Sequence, residues 1–146
     1  MKTLFYVVAE ERDIVRLRTD FRTGEDAYLF QFSLTPDRAR AIFLDYLKTI
    51  NEMKEEAVFY NVLDANCTTG IRMHAVATTE NPRPWDWRIL LPGKVDELLS
   101  MRGGFAVDMP VDELKERGHV NAAANAAGRV NDFSRQIRRG VPGFDE

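Results

Sequence analysis

One cysteine and two histidines are all that 146 residues supply. A single cysteine excludes an internal disulfide and any metal site built from several thiolates. HExxH, P-loop, GxGxxG and GxSxG patterns are all missing. Neither a metal nor a cofactor is therefore expected. No apolar run approaches membrane-spanning length, which argues against a transmembrane segment. The residues after Lys2 meet Glu10 and Glu11 too soon for a signal peptide. A net charge of -3 argues against a nucleic-acid partner. Repeats and low-complexity tracts are also lacking. Hydrophobic residues at 45% and charged residues at 29% are ordinary for a globular domain of this length.

The only cysteine lies in Phe59-Tyr60-Asn61-Val62-Leu63-Asp64-Ala65-Asn66-Cys67-Thr68-Thr69-Gly70. An aromatic and apolar run precedes it. Ile71 to Ala77 follows with helical spacing and no proline. The pattern predicts a loop that delivers Cys67 to the first turn of a helix. Unpaired N–H groups and the helix dipole favour a thiolate there. Asn66 can cap that turn, and Thr68 and Thr69 add hydroxyls. A solitary cysteine is more often a small buried apolar residue. The polar neighbours Asp64, Asn66, Thr68 and Thr69 favour the nucleophile reading instead.

Thr3 to Val8 is β-branched and aromatic and reads as a strand. Ile14 to Thr19 alternates and reads as a second. Arg12, Arg16, Arg18 and Arg22 make this region basic. They form either a solvated face paired with Glu11, Asp13 and Asp20 or a set of forks for an anion or lipid headgroup. Ala27 to Leu34 has the clearest period-two pattern, with Tyr28, Phe30 and Phe32 on one side. Thr35-Pro36-Asp37 then opens a long amphipathic helix ending near Glu55. Its stripe of Ala39, Ile42, Phe43, Tyr46, Leu47, Ile50 and Met53 reads as a core face. Asn81-Pro82-Arg83-Pro84 stops the cysteine helix. Trp85 and Trp87 either lock a loop onto the core or border an apolar cleft. Shorter helices follow at Lys94 to Met101, Pro110 to Arg117, Ala122 to Ala127 and, capped by Asp132, Phe133 to Arg138.

A cysteine nucleophile needs a base. His74 follows Cys67 by seven residues. On one helix that is the same face, two turns and roughly 10 Å away, too far for a direct dyad. It reads as a packing histidine. His119, between helices, is the other candidate base.

Several segments taken in order resemble the bacterial Lnb N-terminal periplasmic domain family. They are Glu11-Arg12-Asp13 with Arg16-Leu17-Arg18-Thr19, Phe59-Tyr60-Asn61 with Asn66-Cys67-Thr68-Thr69, Asp86-Trp87-Arg88 with Leu90-Leu91-Pro92-Gly93, Asp96-Glu97-Leu98, and Asp132-Phe133-Ser134-Arg135 with Ile137-Arg138. The resemblance implies a permuted papain-like fold of the NlpC type. It implies acyl chemistry through a thioester on Cys67, at the bacterial envelope. It also implies a partner histidine before the cysteine, and none precedes Cys67 here. The expectation that follows is either the C-terminal part of a longer domain or a relative that lost its front, located in the periplasm, or in the cytoplasm if Met1 is the true start.

The fold expected is α+β: a small antiparallel sheet packed on helices, with a helical C-terminal third. One domain spans residues 1–139, followed by a flexible tail at 140–146. The function expected is a truncated or degenerate cysteine hydrolase or acyltransferase. Cys67, Asn66, Thr68 and His119 are its catalytic candidates, and Arg12, Arg16, Arg18, Trp85 and Trp87 its substrate-binding candidates. Backbone N–H groups of Cys67 and Thr68 would stabilise the oxyanion. The substrate would be a lipidic or acylated peptide. Missing strands would leave an open sheet edge and a route to a homo-oligomer. The alternative is a non-catalytic module that holds an acidic or lipidic partner with the arginine strip and the tryptophan loop.

Overall fold

Helices dominate the computed structural model, which describes residues 3–22, 24–55, 58–61 and 66–144. Seven α-helices are present among these residues: α1 (Glu11–Thr19), α2 (Pro36–Met53), α3 (Cys67–Ala77), α4 (Val95–Met101), α5 (Val111–Gly118), α6 (Asn121–Ala127) and α7 (Phe133–Ile137). Two short 3₁₀ turns, Trp87–Leu90 and Pro92–Lys94, lie between α3 and α4. Most of the loop expected before Cys67, including Asp64, lies outside the described residues.

The expected α+β architecture is not found. Among the described residues there is no strand or sheet; antiparallel bridges are isolated, among them Thr3–Phe59, Tyr28–His119 and Phe32–Phe105. The papain-like reading, and the homo-oligomer through an open sheet edge, lose their basis with the sheet. The backbone bonds give the reason. Leu29 N–H donates to Gly118 and Val120 N–H donates to Ala27, whereas Ser33 N–H donates to Gly104 and Ala106 N–H donates to Gln31. One extended segment is thus shared between two separate partners, and neither builds a ladder. Alternation reports an extended backbone with two unlike faces; it does not report a continuous partner.

The second expected strand is α1. Glu11 and Asp13 stand in its first turn and Arg16 and Arg18 in its last, the arrangement that suits a helix dipole. Arg16 also reaches Asp20 one turn on.

The chain divides into two compact units, Met1–Val7 with Leu34–Leu99 and Val8–Ser33 with Ser100–Glu146. In the second, Val15 of α1 packs with Val120, with Ala124 and Ala127 of α6, with Phe133 and Ile137 of α7, and with Val141. Ala123, Ala124 and Ala127 keep the core side of α6 slim enough for this packing. Arg138 closes it with a two-point ion pair to Glu11 at 2.6 and 2.7 Å. Val141 lies in this core, so part of the expected flexible tail is packed. Asp132 makes no capping bond to α7; its carboxylate takes Arg135 and Gln136 instead. Gly118, expected just beyond α5, is its last residue. A Cβ there would meet the Leu29 carbonyl oxygen at 2.6 Å.

In the first unit α2 begins as expected, with Thr35 accepting from Arg38 N–H. Arg38 then crosses to the end of α3 and donates to the carbonyls of Ala75 and Thr78 at 2.7 and 2.9 Å. Those are the orphan acceptors of a helix terminus, so one side chain fixes α3 against α2. The stripe expected to be core is only partly so. No α2 residue is fully buried, and Phe43 is 60% exposed.

Candidate functional site

Asn66 sets the geometry of Cys67. Its side-chain oxygen accepts from the N–H groups of Thr68 and Thr69 at 2.9 and 3.0 Å. Thr69 Oγ1 in turn accepts from Asn66 N–H at 2.9 Å. This reciprocal capping box fixes where α3 starts, with Cys67 as its first residue. Asn66 and Thr69 are buried, whereas Cys67 is exposed. The cap occupies the Thr68 N–H, which was expected to serve an oxyanion. Thr68 Oγ1 lies 3.8 Å from the Cys67 sulfur.

Cys67 opens onto a cavity of about 400 Å³ with a mainly apolar lining. Tyr6, Tyr46, Tyr60, Asn66 and Gly70 share it. From the lining inward runs a chain of polar groups that sequence reasoning missed. Tyr6 Oη is 2.8 Å from His74 Nε2, and His74 Nδ1 is 2.7 Å from Asp45 Oδ2. His74 is wholly buried. A carboxylate accepts and cannot donate, so Nδ1–H donates to Asp45, and in the neutral imidazole Nε2 is left to accept from the Tyr6 hydroxyl. The Tyr46 ring covers the imidazole at 3.7 Å between centroids, and Tyr6 meets Tyr46 edge-on. Burial, with a smaller push from the Asp45 charge, raises the Tyr6 pKa. Burial and then Tyr6 raise that of Tyr46. Both phenols therefore keep their protons in neutral solution.

His74 stands two turns from Cys67 on α3, as the spacing predicted, and makes no dyad with it. Asp45 left one trace in the sequence: it is a carboxylate beside Tyr46 and three residues after Ile42, at the edge of an apolar stripe. Tyr6 left none, being one aromatic among others in an extended run.

The remaining candidates lie elsewhere. His119 belongs to the second unit, where its Nε2 lies 2.9 Å from Asp26. Arg12, Arg16 and Arg18 are on α1, also in that unit, paired locally with Glu10, Asp20 and Glu25. Trp85 and Trp87 are in the first unit and exposed, and the Arg72 guanidinium sits 5.2 Å over the Trp85 ring. Among the described residues no cluster of histidine, cysteine, aspartate or glutamate could hold a metal ion. No described helix is long and apolar enough to cross a membrane.

These features define a helical protein with an accessible thiol at a helix start, beside an aromatic-lined cavity. The description "Lnb N-terminal periplasmic domain" matches residues 1–93, more than half of the chain, and the chain belongs to that family. The matched span contains Cys67, Tyr6, Asp45 and His74; His119 lies beyond it. No curated protein and no solved structure matches the chain.

Proposed function

We propose that this chain carries a thiol-dependent acyl site of the bacterial periplasm, a hydrolase or acyltransferase that works through a thioester on Cys67. The observation that carries the reading is the placement of Cys67, exposed at the first position of a capped helix and on the wall of an apolar cavity. Such a wall suits an acyl chain, and the helix start suits a thiolate and the oxyanion it creates. In this reading the sulfur attacks an acyl carbonyl, an S–C bond forms, and the bond to the leaving alcohol or amine breaks. Water or an acceptor amine then attacks the thioester and restores the thiol. The Cys67 N–H is the oxyanion donor, Asn66 holds the turn, and His119 has no assigned part. The family's periplasmic description supports the location. A lipidic or acylated substrate suits the cavity lining better than a charged one.

The test is ester turnover by the full chain with p-nitrophenyl acetate, butyrate and octanoate. Turnover should rise from acetate to octanoate as the chain fills the cavity, and Cys67→Ala should reduce it to the buffer rate. Equal turnover by wild type and C67A removes the thiol from the mechanism.

The binding-module alternative gains one observation, the exposure of Trp85 and Trp87. The arginine strip does not support it, because Arg12, Arg16 and Arg18 each face a carboxylate of their own neighbourhood.

A further inference from the structure

The acyl reading leaves Cys67 without a base, since His74 is buried two turns along the same helix. We propose that Tyr6 is a catalytic residue that carries the proton between Cys67 and His74, with His74 and Asp45 as positioning residues behind it; this inference rests on the acyl reading above.

Three observations support it. A wholly buried imidazole has both nitrogens engaged, one by a carboxylate and one by a phenol. Such an arrangement fixes one tautomer and stabilises the imidazolium when a second proton arrives. The phenol belongs to the wall of the cavity, whereas the imidazole does not. Finally, the Tyr6 hydroxyl lies over the first turn of α3: a Cβ built on Gly70 would stand 3.9 Å from it. Gly70 is three residues past Cys67 and therefore on the same side of the helix. Tyr6 thus shares the cavity wall with Cys67 and bonds His74 behind it.

The proton path balances. The Cys67 thiol gives its proton to Tyr6 Oη while Tyr6 passes its own proton to His74 Nε2. The sulfur electron pair forms the S–C bond, and Asp45 holds the resulting imidazolium. When the tetrahedral intermediate collapses, the C–O bond breaks and its electrons stay on the alcohol oxygen. In that same step the proton returns from Nε2 through Tyr6 to that oxygen, so the alcohol leaves neutral.

The experiment compares kcat/KM of the full chain for two butyrate esters that differ only in leaving group. Ethoxide needs a proton to leave; p-nitrophenolate does not. Tyr6→Phe keeps the ring and removes the hydroxyl. It should lower kcat/KM for ethyl butyrate by about 100-fold or more, the usual size of a lost acid–base group, and lower that for p-nitrophenyl butyrate at least tenfold less. Asp45→Asn, which acts at the far end, should give the same pattern at about a tenth of the size, and it carries the test if the Tyr6 variant does not fold. Equal losses on both esters, or no loss, overturn the relay while leaving the acyl reading in place. Wild-type protein that turns over neither ester overturns both.

Discussion

At the scale of single residues, Asn66 and Cys67 form one device. The asparagine closes two backbone donors of α3, and the cysteine follows because the helix must start there. Asn66→Ala should cost about 1 kcal/mol of stability, as for other lost N-caps, and should slow alkylation of Cys67 by iodoacetamide as the first turn frays. A variant as stable as the wild type in urea would show that the cap does not hold the turn. The cap and the thiol position were legible in the sequence because capping is local: Asn66 and Thr69 lie three apart and need no other segment. Tyr6, Asp45 and His74 were not, because they come from three segments that meet only in the folded unit. Spacing could rule out a Cys67–His74 dyad; it could not supply the phenol that lies between.

At the scale of elements, six of the seven helices among the described residues are legible in the sequence, whereas α1 and the bridged segments read as strands. Thr35 with Pro36 gave the start of α2, and the cysteine segment gave α3. Ile14 to Thr19 was misread because six residues of alternation cannot outweigh the charge order of Glu11, Asp13, Arg16 and Arg18, which fits a helix. The Arg138 hydrogen bonds to Glu11 join α1 to the residue after α7 and hold the Glu11 pKa below its ordinary value. Burial opposes that shift, and a Ser134 hydrogen bond and the Arg138 charge assist it. A lowered carboxylate pKa stabilises the fold above the ordinary glutamate range, about pH 4.3, and the contribution fades as pH falls through the lowered value. Glu11→Gln should therefore be less stable at neutral pH by about 1 kcal/mol, the upper end for exposed pairs, with the difference closing in strong acid. A gap that is constant from neutral to acid would contradict the assignment. Gly118→Ala should destabilise by about 1 to 3 kcal/mol, because backbone rather than a flexible side chain must move.

For the molecule as a whole, apolar surface is unevenly disposed. The second unit has a core of aliphatic and aromatic side chains and leaves Val8, Phe21 and Met101 exposed. The first keeps Phe5, Phe43, Ile71 and Trp87 more than half exposed. Both tryptophans belong to that first unit, so tryptophan fluorescence reports on it alone. Emission should be at long wavelength, as in water, and fully open to iodide quenching. Short-wavelength, protected emission would mean that the tryptophan loop is covered. The distribution of apolar surface could not be read from the stripe of α2, since periodicity marks a face without saying what packs on it.

The central claim is that the Cys67 sulfur takes an acyl group from the cavity. Intact-mass measurement with peptide mapping, after brief exposure to p-nitrophenyl octanoate and an acid quench, tests it most directly. The account predicts one octanoyl group, on Cys67, in the wild-type chain and none in C67A. Octanoylation confined to lysines or tyrosines, with the thiol still free, would contradict it.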